Sequence, residues 1–275
     1  VLLDWIFIFP LGMGVEGAAI ATSISISIGG FMALGYLLWR AKDLKLIRLK
    51  MSAKSIALAF RNVGYHCRIG SSTLLGELAL AVMFYVGNRV FMHYLGDTGV
   101  GAYGIACYYM PFFFMVGNSI AQSAQPIISY NYGIDRWTRI VEARKVLLMT
   151  CLGFGVAVSL IFILFPKGLV GLFIPIESEA AIIAINGFPL LSIGILFFIL
   201  NVAIIGYYQS VERMGKATLY VFLRGFVFIV PCFLILPKFL GTVGIWLAMP
   251  ASELLTSLFI ALSVLPSRLK SLRKQ

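Results

Sequence analysis

The sequence predicts an all-α integral membrane protein, a polytopic bundle of helices that cross a lipid bilayer. Of its 275 residues, 60% are hydrophobic and only 12% are charged, about half the charged fraction of an average soluble domain. The mean hydropathy is +0.97, and the apolar runs are long and continuous, whereas a transmembrane β-barrel would show short alternating segments. Lys and Arg are concentrated in alternate loops between these runs. These three observations define the fold class.

Turn residues and charged loops divide the chain into seven complete transmembrane helices and one stub. The stub, residues 1–9, is too short to cross a hydrocarbon layer, which takes about 20 apolar residues. A turn at Pro10-Leu-Gly-Met-Gly follows it, and Ser52 is a candidate N-cap for a short surface helix between the first and second spans. The predicted spans are 15–39, 69–93, 100–128, 143–165, 180–209, 217–236 and 243–265. Among the predicted connections are a tight loop at Gly96-Asp97 and a basic loop at 135–145.

A short internal repeat suggests two lobes. Small and turn residues recur at the same spacing in two places, each at a turn that leads into a span: Pro10, Gly14, Gly17 and Ala21, then Pro237, Gly241, Gly244 and Ala248. Because six spans separate the copies, the repeats run parallel, as in a transporter built from two six-helix lobes. We therefore expect residues 1–39 to end a first lobe whose remainder is missing, 40–68 to be a basic linker, 69–265 to be one full six-helix lobe, and 266–275 to be a basic tail.

The distribution of positive charge predicts the orientation. The net charge is +11, and most of the 22 Lys and Arg residues lie in loops on one side of the predicted membrane. Only Arg89, Lys167 and Lys238 fall on the other side, and Arg224 lies within a helix. By the positive-inside rule the basic loops and the C-terminus are cytoplasmic, in a multi-pass protein of the cell (plasma or inner) membrane. Topology and contact with anionic lipid explain the charge, so nucleic acid is not an expected partner.

One carboxylate, Glu77, lies inside a predicted span. It is roughly 10 Å past Gly70, within the hydrocarbon layer, where a charged side chain is costly and usually faces a cavity, a partner or a pathway. Steps of 100° per residue place Ala81, Phe84 and Asn88 on the same face. We interpret this face as a cavity wall and Glu77 as a coupling residue for a cation or proton. The alternative is that Glu77 is a fixed hydrogen-bond partner joining two helices.

The next predicted span contains two further groups of candidate cavity residues. Asn118, Gln122 and Gln125 recur at helical spacing and either line the same cavity or bond to neighbouring helices. Tyr108 and Met110, beside Pro111, suit a pocket for varied apolar ligands, although ordinary helix packing explains them equally well.

Two more intramembrane charges predict an ion pair, while no pattern indicates an enzyme. Arg224 and Glu253 are each costly alone in an apolar helix, so we expect them to form a structural pair. The four cysteines lack CxxC spacing, and the two histidines fall at opposite membrane faces, so neither a disulfide nor a metal site is expected. No residues suggest catalysis or a bound cofactor.

One string resembles a known transporter family. Gln125-Pro-Ile-Ile-Ser-Tyr-Asn-Tyr-Gly133, together with Leu223-Arg224 and Gly244-Ile-Trp-Leu-Ala-Met-Pro250, is similar to the multidrug and toxic compound extrusion (MATE) family, bacterial multidrug-efflux branch. The resemblance implies a twelve-helix antiporter that exports cationic, amphipathic drugs in exchange for H⁺ or Na⁺, of which this chain would hold the sixth to twelfth helices. It also implies that Glu77 is the carboxylate of the family's seventh helix. Some members carry an Asp in the tenth helix, and here Asn201 is the nearest polar side chain. Asn201 is therefore a second candidate coupling residue, which would supply a neutral oxygen to an ion or drug held by Glu77.

Two other functions stay open at this point. A lipid-linked precursor flippase would need a large cationic cavity, and the intramembrane charges here are sparse. A non-transporting membrane scaffold or receptor has no need of an acid that faces an amide-lined wall. If the chain is one lobe of a larger transporter, we expect that it does not transport alone, because half of the cavity wall would be absent.

Overall fold

The computed structural model describes residues 2–40 and 52–272, and their side chains except at 69 and 264–272. The described residues fold into helices joined by short connections, which confirms the prediction of an all-α protein. The chain forms two compact units, Val1–Asn62 and Val63–Gln275. The helices are α1 (Leu2–Ile8), α2 (Gly14–Trp39), α3 (Ala53–Gly133), α4 (Trp137–Leu164), α5 (Pro166–Gly171), α6 (Glu179–Ser210), α7 (Met214–Phe222), a π-helical turn (Leu223–Phe228) and α8 (Ile229–Leu272).

Five helical stretches in the described part of the chain are long and apolar enough to cross a membrane: 14–39, 53–133, 137–164, 179–210 and 214–263. Two of them are interrupted by a glycine with a backbone conformation that other residues rarely adopt. Gly96 breaks α3 with φ 63° and ψ −155°, and Gly241 breaks α8 with φ 57° and ψ −134°. The predicted tight loop at Gly96-Asp97 therefore corresponds to a break within one helical stretch.

In the first unit, α1 packs against α2 through small residues. Gly17 and Ala21 are the buried residues of α2, and a Cβ on Gly17 would meet the carbonyl oxygen of Phe7 at 3.0 Å. Gly14, at the start of α2, has φ 55°, and its counterpart in the internal repeat, Gly241, has φ 57°. The two copies of the repeat therefore share the glycine conformation that begins the following helix.

In the second unit, α6 lies at the centre and packs against α4, α5, α7 and α8. Its core side chains include Phe188, Ile195 and Phe198, all almost fully buried. Close approach depends on small residues, as expected where helices associate in lipid. Gly155 of α4 lies against Leu196, and Gly194 of α6 lies against Pro250 of α8.

Helix α3 folds back on itself at Gly96, so that its first arm within the second unit (63–95) and its second arm (97–133) run antiparallel. The Tyr103 hydroxyl donates to the Met83 carbonyl oxygen at 2.9 Å. The ring of Tyr103 also stacks on Phe91, with centroids 4.5 Å apart, and Gly76 of the first arm faces Phe114 of the second. Residues near Gly76 and residues near Phe114 are thus brought together at the same depth.

The same unusual turn follows the C-terminal ends of α3 and α6. Asp135 and Glu212 both have φ 56°, a left-handed conformation that costs a non-glycine residue about 1 kcal/mol or more. In each turn the amide of the following arginine closes the preceding helix at 2.9 Å, from Arg136 to the Asn131 carbonyl and from Arg213 to the Tyr208 carbonyl.

The segment 135–145, predicted as a basic loop, is helical from Trp137 onward. Arg139 and Glu142 form an exposed ion pair at 3.6 Å on this first part of α4. Charged residues such as these are compatible with a helix, so they mark the membrane boundary and not the end of the helix. The sequence prediction of a loop was wrong here for that reason.

A pair of glycines on α4 tests the packing of α4 on α6. A Cβ on Gly155 would lie 2.7 Å from Leu196 Cδ1 and 3.2 Å from Leu196 Cα, whereas a Cβ on Gly153 meets nothing within 4 Å. We expect Gly155→Ala to destabilise the purified protein by about 1–3 kcal/mol through overpacking. Gly153→Ala should be neutral or slightly stabilising, because alanine favours the helix. Thermal unfolding in detergent measures both, and equal midpoints for the two variants would contradict the packing.

Candidate functional site

A cavity of about 480 Å³ lies between the two arms of α3, α6 and the segment of α7 and the π-helical turn. We call it the main cavity. Its lining is about equally polar and apolar in residue type, which distinguishes it from a lipid-facing surface. The lining residues are Ser72, Thr73, Gly76, Glu77, Phe114, Asn118, Ala121, Gln122, Gln125, Val202, Ile205, Gly206, Gln209, Met214, Val221 and Arg224.

Glu77 is the only acid among the described residues that line the main cavity. It shares this wall with Thr73 and Gly76, while Ala79 and Leu80 on the opposite face of the helix are buried in the core. The Glu77 side chain is exposed to the cavity, and within the described ranges its carboxylate forms neither a hydrogen bond nor an ion pair. The structure thus places an unpaired carboxylate at the cavity and does not show it joining two helices.

The amides predicted from helical spacing form the opposite wall. Asn118, Gln122 and Gln125, on the second arm of α3, all line the main cavity. In the part of the chain that the structure describes, their side chains form no hydrogen bond to another residue. Phe114 lies on the same wall, 8% exposed. The wall therefore offers neutral oxygen and nitrogen atoms beside one aromatic ring.

Two hydrogen bonds beside the main cavity join α3 to α6, and sequence analysis did not predict them. Gln209 of α6 donates to the Ser72 hydroxyl of α3 at 2.9 Å. The Ser129 hydroxyl donates to the Ser210 carbonyl at 3.0 Å. Gln209 follows Val202 and Ile205 at helical spacing, which is the signal that would have placed it on the same face.

Arg224 and Glu253 form a buried ion pair beside the cavity. The distance from Arg224 Nε to Glu253 Oε1 is 2.6 Å, and the two side chains are only 6% and 3% exposed. The guanidinium also lies over the ring of Phe198, with Cζ 4.1 Å from the centroid. A buried pair of charges requires such additional contacts, because each ion has lost its hydration.

The second carboxylate oxygen of Glu253 is held by Asn201. Asn201 Nδ2 donates to Glu253 Oε2 at 2.8 Å and to the Glu253 backbone carbonyl at 2.9 Å. The Asn201 carbonyl oxygen accepts from the Ser257 hydroxyl at 2.9 Å. Arg224, Glu253, Asn201 and Ser257 thus form a network that links the π-helical turn, α6 and α8.

Arg224 is the only member of this network that also lines the main cavity. It lies on the π-helical turn, where Gly225 packs directly against Ala79 of α3. Single-turn π-helices occur frequently at functional sites. The turn therefore brings one compensated positive charge to the cavity that holds the unpaired Glu77.

Asn201 is not where the expected role requires it. It was expected to supply a neutral oxygen beside Glu77, but its oxygen is taken by Ser257 and its side chain is fully buried. The cavity face of α6 is formed by Val202, Ile205, Gly206 and Gln209, and Asn201 faces α8.

Four other expected cavity residues lie outside the main cavity. Phe84 is half-buried against the core, and Asn88 is exposed. Met110 is buried at 3% exposure, and Tyr108, 71% exposed, stacks on Phe173. The two arms of α3 run antiparallel and meet at Gly96. Glu77 and Phe114 are the cavity-lining residues nearest to that turn, and all four of these residues lie closer to it along their arms.

No group of three or more His, Cys, Asp or Glu residues could hold a metal ion within the described ranges.

Comparison with known proteins shows that the chain is similar to members of one transporter family. The family model MatE matches residues 73–234, more than half of the chain. The multidrug export protein MepA of Staphylococcus saprophyticus is 25% identical over 269 residues, covering 96% of this chain and 56% of MepA. The probable multidrug resistance protein NorM of Rhizobium meliloti is 28% identical over 199 residues, covering 70% of this chain and 41% of NorM.

A solved structure has the same fold over the whole chain. It is the outward-facing conformation of a multidrug resistance MATE family transporter of the MOP superfamily, with a TM-score of 0.82 and 20% identity. The match covers 100% of this chain and 60% of that one. The chain thus spans about half the length of the relatives that it matches.

The buried network predicts the cost of removing Arg224. Arg224→Met leaves the Glu253 charge uncompensated and should destabilise the purified protein by about 3–5 kcal/mol. Arg224→Met combined with Glu253→Leu should recover part of that loss. Arg139→Met is the matched control, because it breaks an exposed pair whose side chains are 70% and 60% accessible and should cost within about 1 kcal/mol. Equal losses for Arg224→Met and Arg139→Met, measured by thermal unfolding, would contradict the network.

Proposed function

We propose, since this chain belongs to the MatE family, that it forms part of a multidrug efflux transporter that exports cationic, amphipathic compounds in exchange for H⁺ or Na⁺. The observation that carries this proposal is the unpaired Glu77 carboxylate facing a cavity lined by amides and an aromatic ring. Two of the relatives are named for multidrug export or multidrug resistance, which supports export of drugs as the activity. Neither an enzymatic activity nor a cofactor is part of the proposal.

Glu77 is the proposed coupling residue. An ionised carboxylate in a site with little water attracts a cation strongly, so it suits either Na⁺ or the positive group of a drug. Gln122, Gln125 or Asn118 supplies neutral oxygen, and Phe114 offers an apolar and cation-binding ring. A proton on Glu77 removes its charge and with it the attraction for a cation.

Exchange follows from competition for this one carboxylate. If the coupling ion and the drug both need the ionised form of Glu77, each lowers the affinity for the other by the same factor. Arg224 lies at the same cavity, but its charge is compensated by Glu253, so it does not cancel the charge of Glu77. Drug leaves when the coupling ion or a proton takes its place.

The proposal includes a topology. Counting the breaks at Gly96 and Gly241 as membrane turns gives seven complete spans and the stub α1. Residues 1–39 would end a first lobe, 40–68 would link the lobes, and 69–265 would form a six-helix lobe. Residues 41–51 of this linker and 273–275 of the tail lie outside the residues that the structure describes. The basic loops and the tail 266–275 would face the cytoplasm of a plasma membrane, by the positive-inside rule.

The two alternative functions receive less support. A flippase for lipid-linked precursors needs a cationic cavity, and among the described residues lining the main cavity Arg224 is the only Lys or Arg, already paired with Glu253. A scaffold or receptor gives no reason for an unpaired carboxylate at a polar cavity. Export of cations is therefore the function that fits the site.

Glu77→Gln tests the proposal in cells. This substitution keeps the shape of the side chain and removes its charge, so it should abolish most efflux of a cationic dye such as ethidium while membrane expression stays near normal. Glu177→Gln, which removes a carboxylate from the exposed connection before α6, should leave efflux unchanged. Dye accumulation is measured in cells that express each variant within the full-length, two-lobed transporter, because this chain alone is not expected to transport.

The result would count against the proposal if Glu77→Gln cells exported the dye like the parent at several external pH values and Na⁺ concentrations. Glu77 would then have no role in coupling, although the cavity could still bind a drug.

A further inference from the structure

A second cavity, of about 630 Å³, opens between α4, α6 and α8 and shares no residue with the main cavity. We call it the basic groove. Helix α6 divides the two, because Val202, Ile205 and Gly206 face the main cavity while Ile204 and Tyr207 face the groove. The groove is lined by Val141, Arg144, Lys145, Leu148, Met149, Ile204, Tyr207, Tyr208, Ile260 and Ala261.

The groove combines an apolar floor with two positive charges. Leu148, Ile204 and Ile260 supply hydrocarbon from three different helices. Arg144 and Lys145, consecutive residues of α4, supply the charges, and the Arg144 guanidinium is 5.5 Å from the centre of the Tyr207 ring. A ligand that fits must be amphipathic, with an apolar body and an anionic group.

The two positive charges are not neutralised locally. No acid is among the described residues that line the groove, and Glu142, the nearest acid along α4, pairs with Arg139 on the exposed side of the helix. Within the described ranges neither Arg144 nor Lys145 forms an ion pair. Lys216 adds a third cation close by, with Nζ 5.5 Å from the centre of the Tyr208 ring. The groove therefore repels the cationic compounds proposed for the main cavity.

The depth of the charges matches a lipid headgroup. Arg144 lies roughly 10 Å along α4 from Trp137, the first residue of that helix, at 1.5 Å per residue. Tyr207 and Tyr208 lie in the last turn of α6. Tyrosine, tryptophan and basic residues together are typical of the membrane interface, where long cationic side chains reach toward the headgroups.

We propose that the basic groove binds one anionic phospholipid of the surrounding bilayer. Its phosphate would lie between Arg144 and Lys145, and one acyl chain would follow the apolar floor between α4, α6 and α8. Basic pockets between transmembrane helices are known to select anionic headgroups in this way. The site is a structural and regulatory one, because the lipid fastens α4 and α8 to the helix that also carries the cavity wall.

Lipid titration of the purified protein tests the proposal. In an uncharged detergent, phosphatidylglycerol and phosphatidylcholine with identical acyl chains are added separately, and binding is followed by native mass spectrometry and by the unfolding temperature. Phosphatidylglycerol should bind more tightly and raise the unfolding temperature. Arg144→Gln combined with Lys145→Gln should lower its affinity roughly 30-fold, since each basic residue contributes to attraction of an anionic lipid.

Matched controls separate this site from general charge. Arg68→Gln with Arg136→Gln removes the same charge from exposed positions outside the groove and should leave selectivity for phosphatidylglycerol unchanged. Ala261→Trp fills the groove without altering charge and should weaken binding of the same lipid. It also keeps the test valid if the double variant fails to fold.

Equal binding of the two lipids by the parent protein would overturn the proposal. So would undiminished selectivity for phosphatidylglycerol in both the Arg144/Lys145 variant and Ala261→Trp. Neither outcome bears on the role of Glu77 in the main cavity, which is tested by efflux.

Discussion

The buried contact between Arg224 and Glu253 is the interaction on which the rest of the site depends. Two charges in an apolar bundle are tolerated only if they are close and if their remaining polar atoms are also bonded. Asn201 and the ring of Phe198 meet that condition, so three helical segments are fixed relative to each other. Glu253 is buried in this network and neutralises Arg224, so the positive charge that lines the main cavity is already paired. Glu77 is the one acid among the described residues of that cavity.

Helix α6 separates two environments of opposite character. One face, with Val202 and Gln209, lines the cavity that holds a free carboxylate and uncharged amides. The other, with Ile204 and Tyr207, lines a groove whose charges are positive. The cavity proposed to bind a cation and the groove proposed to bind an anionic lipid therefore lie on different faces of α6. Small residues such as Gly194 allow α8 to pack closely enough to form the wall of the groove.

Residues that need a partner were the ones that the sequence could place. Arg224 and Glu253 each require an opposite charge in lipid, and Glu77 requires a polar environment. Their surroundings could be predicted because an unpaired charge in an apolar bundle is costly in free energy. Asn201 is uncharged and fits several environments, and nothing in the sequence indicates the π-helical turn. Met110 and Tyr108 suit a core, a pocket or a lipid face equally well. Their positions depend on the depth at which the arms of α3 meet, which only the packed structure defines.

The most direct test of the account is equilibrium binding of a fluorescent lipophilic cation to the purified protein across a range of Na⁺ concentrations and pH values. If Glu77 is the shared site, affinity for the dye should fall as Na⁺ or H⁺ rises, and Glu77→Gln should bind weakly and without that dependence. Binding by Glu77→Gln that still responds to Na⁺ or H⁺ as the parent does would contradict the claim that this carboxylate couples ion and drug.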